Sequence, residues 1–299
     1  MKLNKLSLQD KDKFKEYLGL AEHELSVYAF SNIYIWKSIF EIEWAILEDS
    51  LCIFFRDKIG SFMYLEPLAK QPSAQLIKEC FKIMDAFNKN KEISRIENVE
   101  EKRISFYKDL GYCCKEKFAD FLCNRADLSG LKGDKFKHKR SALNHFLKNY
   151  QFEYLPFSLE YRQGCLELYN SWMRERQGYI QDPLYLGMLK DSLASLKVLL
   201  KDYEKLNFTG RLVKVDGKLK AFSLGFSINK EIFCIAYEIT DLSIQGLAQF
   251  IFQRFCSDLK KYKYVNIMDD SGLENLRRVK LSYRPERIVA NYIITRKDA

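Results

Sequence analysis

Between Glu231 and Tyr283 the chain gathers side chains that could bind an anion and move a proton. The apolar run Ile232–Tyr237 reads as a strand and delivers Glu238 at its end. A carboxylate there could orient or deprotonate an amine; otherwise it is a solvated edge residue. Gln245, Gly246, Leu247 and Ala248 follow, then the helical face Ala248, Ile251, Phe252 and Phe255 at i, i+3, i+4 and i+7. A glycine in the first turn of a helix lets a ligand reach backbone N–H groups, and the helix N-terminus favours an anion. These four residues are the candidate anion cradle. A second strand, Tyr264–Met268, carries Asn266. Asp270 sits in Asp269–Gly272, which reads as the cap of the helix Leu273–Leu281. Lys280 and Arg284 flank Tyr283 and could hold a phosphate or carboxylate, or simply favour the helix C-terminus. Lys139 and Arg140 close the cationic stretch Lys132–Arg140, which enters a helix. Cations at a helix start oppose its dipole, so an anionic ligand is the functional reading.

The elements that must position these residues occur twice. Leu110-Gly111-Tyr112 lies over Leu281-Ser282-Tyr283 at an offset of 171 residues (283 − 112). At the same offset, without a gap, Phe62–Leu65 lies over Phe233–Ala236. Leu76, Phe81 and Met84 lie over Leu247, Phe252 and Phe255, and Ile93–Ile96 over Tyr264–Ile267. Phe118–Leu122 lies over Val289–Ile293. Apolar phase kept through so many elements indicates a tandem duplication. The expected domains are 1–125 and 126–299. In the first, Ala74-Gln75 replaces Gln245-Gly246, so that domain is expected to lack the cofactor site. In each, helices precede a strand meander, then helix, strand, helix and strand follow; Asp216-Gly217 marks one hairpin turn. Glu24–Ile39 is expected to be one helix with the aromatic face Tyr28, Phe30, Tyr34 and Trp36.

Length 299 allows about two domains. A net charge of +9 points to an anionic partner, or to a solvated basic surface. The eight cysteines lie mostly in apolar strands and helices and form no CxxC, so reduced buried thiols are expected. His138 and His145 lack a carboxylate or Cys at matching spacing, so no metal site is expected. No Ser-His-Asp set or P-loop is visible. With no signal peptide core and no apolar run near the roughly 20 residues of a membrane span, the expectation is a cytoplasmic protein.

The segment Phe106–Tyr112 is similar to the Phe-Tyr-x-Lys-x-Gly-Phe ending of the acyl-CoA N-acyltransferase (GNAT) superfamily. More closely, the chain resembles an uncharacterised bacterial family grouped with the C-terminal domain of phosphatidylglycerol lysyltransferases. The carrying residues include Leu128–Gly133, Lys137–Arg140, Val215–Lys218, Asn266-Ile267, Asp270, Leu276-Arg277 and Lys280–Pro285. The resemblance implies a mixed α+β (α/β mixed sheet) fold, two tandem GNAT-like domains related by internal duplication. It also implies transfer of an acyl or aminoacyl group from coenzyme A or tRNA to an amine or hydroxyl. The expected anionic ligands are therefore acyl-CoA, aminoacyl-tRNA or an acidic lipid headgroup, with no metal. In that superfamily the tyrosine after the last helix, here Tyr283, often serves as the acid. This sequence departs from the pattern at Ser243, where the acetyl-CoA signature begins with arginine, and it lacks the lysyltransferases' membrane portion. The competing expectation is a binding module that kept the fold and lost the chemistry. The ligand site is expected in the second domain near Gly246 and Tyr283. Gly246→Val is expected to abolish donor binding with little change in melting temperature.

Overall fold

The protein is described by a computed structural model covering residues 3–179 and 182–297. Fourteen strands alternate with helices among these residues. In chain order the first six are β1 (Asn4–Lys5), β2 (Glu41–Leu47), β3 (Ser50–Arg56), β4 (Ser61–Met63), β5 (Ile96–Glu100) and β6 (Cys113–Glu116). Then come β7 (Asp120–Asn124), β8 (Phe152–Pro156), β9 (Thr209–Val215), β10 (Lys218–Ser227), β11 (Ile232–Thr240), β12 (Tyr264–Asn266), β13 (Arg287–Val289) and β14 (Asn291–Thr295). They form two seven-stranded mixed sheets with the same plan. One runs β1-β2-β3-β4-β5-β14-β6 and the other β8-β9-β10-β11-β12-β7-β13. In each, a meander of antiparallel strands meets its neighbour in parallel, at β4/β5 and at β11/β12.

The repeat is therefore a repeat of topology. β7 and β14 stand 171 residues apart (291 − 120), and each is antiparallel to the fifth strand of its sheet. The chain nevertheless exchanges them: β14 completes the first sheet and β7 the second. The compact units are consequently 1–120 with 288–299, and 121–287. The expected division, 1–125 and 126–299, misplaces both β7 and β14. A sequence offset preserves the order of strands but carries no information on which sheet completes its hydrogen bonds with them.

Each unit has its own core. In the first, the helix Ala74–Phe87 lays Leu76, Ile77, Cys80, Phe81 and Met84 on Phe54, Met63, Ile96 and Ile294. Ser73 caps that helix by accepting from Leu76 N–H at 2.9 Å. In the second, the helix Leu247–Asp258 lays Phe252, Phe255 and Cys256 on Phe233, Ile235, Val265 and Tyr283. The ring pairs are equivalent: Phe81 stacks on Tyr112 at 5.1 Å, and Phe252 meets Tyr283 at 4.4 Å.

The expected helix Glu24–Ile39 is shorter. Only Phe30–Ile35 is α-helical, followed by a 3-10 turn at Trp36–Ser38. Tertiary bonds hold the residues before it: Ser26 N–H donates to Asp120 at 2.7 Å and Tyr28 Oη to the Asn98 carbonyl at 2.9 Å. The strand expected to reach Met268 ends at Asn266, whose Oδ1 accepts from Met268 N–H at 2.7 Å. Met268 then takes a φ of 60°, which no strand accommodates.

Candidate active site

The two parallel strands of the second unit separate almost at once. β11 pairs with β12 only from Ile232/Tyr264 to Cys234/Asn266, and then continues alone to Thr240. A bulge follows. Leu224 faces Tyr237 and Gly225 faces Ile235, leaving Ala236 without a partner on β10. A Cβ at Gly225 would stand 2.2 Å from the Cys234 carbonyl oxygen, so this register needs glycine. One extra residue re-aims the side chains beyond it. Phe233 and Ile235 face the helix Leu247–Asp258. Tyr237 turns to the other side and bonds Ser195 Oγ at 2.6 Å. Glu238 returns to the first face, in the separated part of the sheet.

Glu238 meets three other residues singled out by sequence. Lys139 and Lys280 are the cations whose charge acts on its carboxyl, and the charge of Glu238 acts in turn on Tyr283. Lys139 Nζ sits 3.8 Å from the centre of the Tyr283 ring, a cation–π contact. Lys280 is 9% exposed and its Nζ donates to the Ile267 carbonyl, at the lip of β12. Burial dominates the electrostatics. It pushes the Glu238 carboxyl up to about 8 despite both lysines. It pushes the Lys139 amine down and the Tyr283 hydroxyl up, so the phenol keeps its proton. Glu238 Oε2 is closed to solvent and has no hydrogen-bond partner among the described residues.

Sequence reasoning missed Ser223. It lies directly across from Glu238 on β10, is fully buried, and its Oγ also lacks a partner among the described residues. An isolated serine in an apolar strand gives no signal until the register is known.

The remaining candidates have other work. The cradle is the main correction. Gly246 has a φ of 85°, and a Cβ there would meet the Ala142 carbonyl oxygen at 2.1 Å and Phe146 Cβ at 3.1 Å. The helix Lys137–Asn149 packs directly on Gly246. Leu247 is buried and its N–H donates to Ile244, Gln245 is exposed, and Ala248 is half-buried in the helix. Glycine is needed here for close helix packing, and these residues do not fit a phosphate cradle at Gly246. Arg140 donates to the Leu131 and Gly133 carbonyls, both at 2.5 Å, closing the end of the helix Arg125–Gly130. Lys135 pairs with Asp127 at 2.6 Å. Asn266 and Asp270 shape turns: Asp270 accepts from Gly272 N–H at 3.0 Å and Arg277 at 3.1 Å, and does not cap the helix Glu274–Leu281. Arg284 is exposed with a φ of 55°.

The first unit has its own polar centre, also missed. Glu66 is buried against Arg103 at 3.1 Å and Tyr107 at 3.4 Å; burial raises its carboxyl while Arg103 pulls it down. Glu100 binds His23 at 2.9 Å, Lys102 at 2.7 Å and Glu24 N–H at 3.2 Å. An open hollow of about 580 Å³ in this unit is lined by Lys91, Tyr112 and Arg296 among others, but Arg296 is held by Asp85 at 2.7 and 2.8 Å. Among the described residues no group of three metal-ligating side chains converges. No helix there is long and apolar enough to cross a membrane.

A family model described as phosphatidylglycerol lysyltransferase, C-terminal, matches residues 19–295. The chain belongs to this family. Its fold matches that of a conserved protein of unknown function from Bacteroides thetaiotaomicron, with a TM-score of 0.88 at 26% identity over 99% of both chains. It also matches L-PGS from Bacillus licheniformis, with a TM-score of 0.67 at 16% identity over 97% of this chain and 93% of that one. A tandem GNAT protein from the clavulanic acid biosynthesis pathway aligns with a TM-score of 0.54 at 8% identity, over 98% and 97%. No curated protein matches. The family member is thus a tandem GNAT-like chain. Family and fold together support acyl or aminoacyl transfer as the general class of activity.

Proposed function

We propose that this chain transfers an acyl or aminoacyl group to an amine, with the reaction centred on Glu238 in the second unit. The observation that carries the reading is the convergence of Glu238, Lys139, Lys280 and Tyr283 where β11 leaves β12. As the amine nitrogen forms its bond to the donor carbonyl it must shed a proton. Glu238, with its carboxyl pushed up to about 8, is matched to take it. The two lysines favour its ionised form and oppose the cost of burial. Tyr283 retains its proton and is available as the acid for the leaving group. The family supports coenzyme A or tRNA as donor carrier. The close packing of Ala142 on Gly246 argues against a pyrophosphate there, and no step here depends on one.

The test is single-turnover transfer with acyl-CoA and, separately, with aminoacyl-tRNA, to a panel of primary amines and alcohols. One donor is expected to react with an amine at a rate rising through about pH 8, and Glu238→Gln to remove that rise. The competing reading, a binding module without chemistry, draws on the covered Gly246 and on Ser243 in place of the signature arginine. It stands if a carrier binds and neither donor reacts.

A further inference from the structure

Two buried oxygens on one sheet face lack partners, and they are neighbours. Ser223 and Glu238 are directly paired across β10 and β11, which puts their side chains on the same face, with Cβ atoms about 5 Å apart. Ser223 Oγ and Glu238 Oε2 both lie among the buried polar atoms that no described residue bonds. A buried polar atom left unpaired is costly, so two adjacent ones mark a place prepared for a guest. Neither gap is closed from the side. On the far flank of Ser223, its β9 partner Arg211 is committed to Asp258 at 2.6 Å. On the far side of Glu238 the sheet is open, because β12 has already parted from β11.

The guest must satisfy both oxygens with one small group. Resting on the transfer reading above, we propose that Ser223 is a positioning residue for the acceptor amine. Its Oγ takes one N–H of the nitrogen and Glu238 Oε2 takes the other. Two fixed N–H directions leave the nitrogen lone pair one direction, which is what a bond-forming step to a carbonyl requires. The N–H held by Glu238 is the proton lost when the C–N bond forms; the N–H held by Ser223 stays on the product amide. Ser223 thus sets orientation, and Glu238 alone changes protonation. The groups facing Glu238 are Lys139 from the helix Lys137–Asn149, Lys280 and Tyr283 from the end of the helix Glu274–Leu281, and Cys256 from the helix Leu247–Asp258.

The experiment uses the full chain, ethylamine as probe, and ethanol as the isostere. The Glu238 carboxyl is followed by carbon NMR across pH, with Glu238→Gln assigning the resonance. Ethylamine, bound as its ammonium before it gives up a proton, is expected to lower the titration midpoint of Glu238, since a cation at the carboxylate favours the charged form, and ethanol, a neutral donor, to lower it less. In Ser223→Ala the free protein should keep its raised midpoint and its melting temperature, while ethylamine binds about tenfold more weakly, the loss of one charge-assisted hydrogen bond. Equal ethylamine affinity in wild type and Ser223→Ala overturns the role of Ser223 and leaves the Glu238 reading standing. A midpoint that ethylamine moves in neither protein overturns both; a bound water bridging the two oxygens would give that result.

Discussion

The two units split their parallel strands in the same place and then treat the gap differently. In the first, the gap is stitched by its own side chains. Asn98 Nδ2 donates to the Tyr64 carbonyl at 2.8 Å, Tyr28 Oη donates to the Asn98 carbonyl, and Asn291 Nδ2 donates to Asn98 Oδ1 at 3.0 Å. Its two buried carboxylates, Glu66 and Glu100, each have a cation and further donors. In the second, Asn266 turns its Oδ1 back to Met268, and Glu238 and Ser223 are left with an unbonded oxygen each. At the 171-residue offset Glu238 corresponds to Pro67, Ser223 to Cys52 and Lys280 to Asp109, while the aromatic pair Phe252/Tyr283 corresponds to Phe81/Tyr112. Duplication kept the packing and changed the polar groups. In the first gap both carboxylates are paired, and among the gap's polar groups named here an amide oxygen, Asn291 Oδ1, lacks a partner among the described residues; in the second it is a carboxylate oxygen and its neighbouring hydroxyl, and a charged group is the costlier one to leave unbonded.

The largest expected effect lies at the unpaired carboxylate of the second unit. Glu238→Gln should slow transfer by about 10²–10⁴-fold, the usual worth of a general base. It should also change the pH dependence of stability. Glu238 has its folded pKa raised from 4.5 to about 8. Between those values the folded state holds a proton that the unfolded state has lost. Stability therefore falls as pH rises from about 4.5 towards 8, and is flat above. Chemical denaturation at several pH values should show that slope in wild type and a shallower one in the glutamine variant. An unchanged slope would mean that Glu238 is solvated.

Gly246 tests the comparison through its counterpart Gln75. Gly246→Val places a side chain against the Ala142 carbonyl at a φ of 85°, at an expected cost of about 3–5 kcal/mol. Gln75 is exposed on the first turn of its helix, and Gln75→Ala should stay within about 0.5 kcal/mol. This replaces the expectation that the valine variant melts like wild type. Similar denaturation midpoints for the two variants would remove the packing role assigned to Gly246.

The paired carboxylates of the first unit give the next effect. Arg103→Met leaves Glu66 buried without its cation, which should cost about 3 kcal/mol when Glu66 is ionised. The loss should shrink as pH falls and Glu66 takes a proton. Donor binding measured by calorimetry should not change, because the reaction centre is assigned to the other unit. A variant that folds normally and loses binding would move the site to the first unit.

What was legible in the sequence follows from what periodicity carries. Apolar phase at a constant offset revealed the duplication, both core helices and the parallel strands, because those depend on which side chains face inward. It could not reveal that β7 and β14 change sheets, since pairing partners leave no trace in phase. Glu238, Lys280, Tyr283 and Lys139 stand out in the sequence by their places at strand and helix ends. Ser223 was not, because only the bulge at Ala236 and the register across β10 place it beside Glu238. Gly246 was found and misread: a glycine at a helix start fits either a bound anion or a crossing helix, and the residue that decides, Ala142, lies about a hundred positions earlier. His23, Glu66 and Glu100 were passed over because their spacing of tens of residues resembles no local motif.

The smallest effect belongs to Lys139, and it separates its two contacts. Lys139 favours the ionised form of Glu238, and its Nζ also rests on the Tyr283 ring at 3.8 Å. Lys139→Met keeps much of the apolar stem and removes the charge, so packing against Tyr283 should largely survive. Without that charge the Glu238 carboxyl is held less firmly in its anionic form, and its midpoint must rise above about 8. The rate of transfer near neutral pH should fall a few-fold and recover in more alkaline buffer, while Glu238→Gln should not recover. Arg140→Met, one residue along, has no such coupling. Its guanidinium closes the end of the helix Arg125–Gly130, so its loss should lower stability by about 1 kcal/mol and leave the pH profile in place. If both variants shift the profile equally, the field at Glu238 comes from the basic segment as a whole and not from one lysine set against the ring of Tyr283.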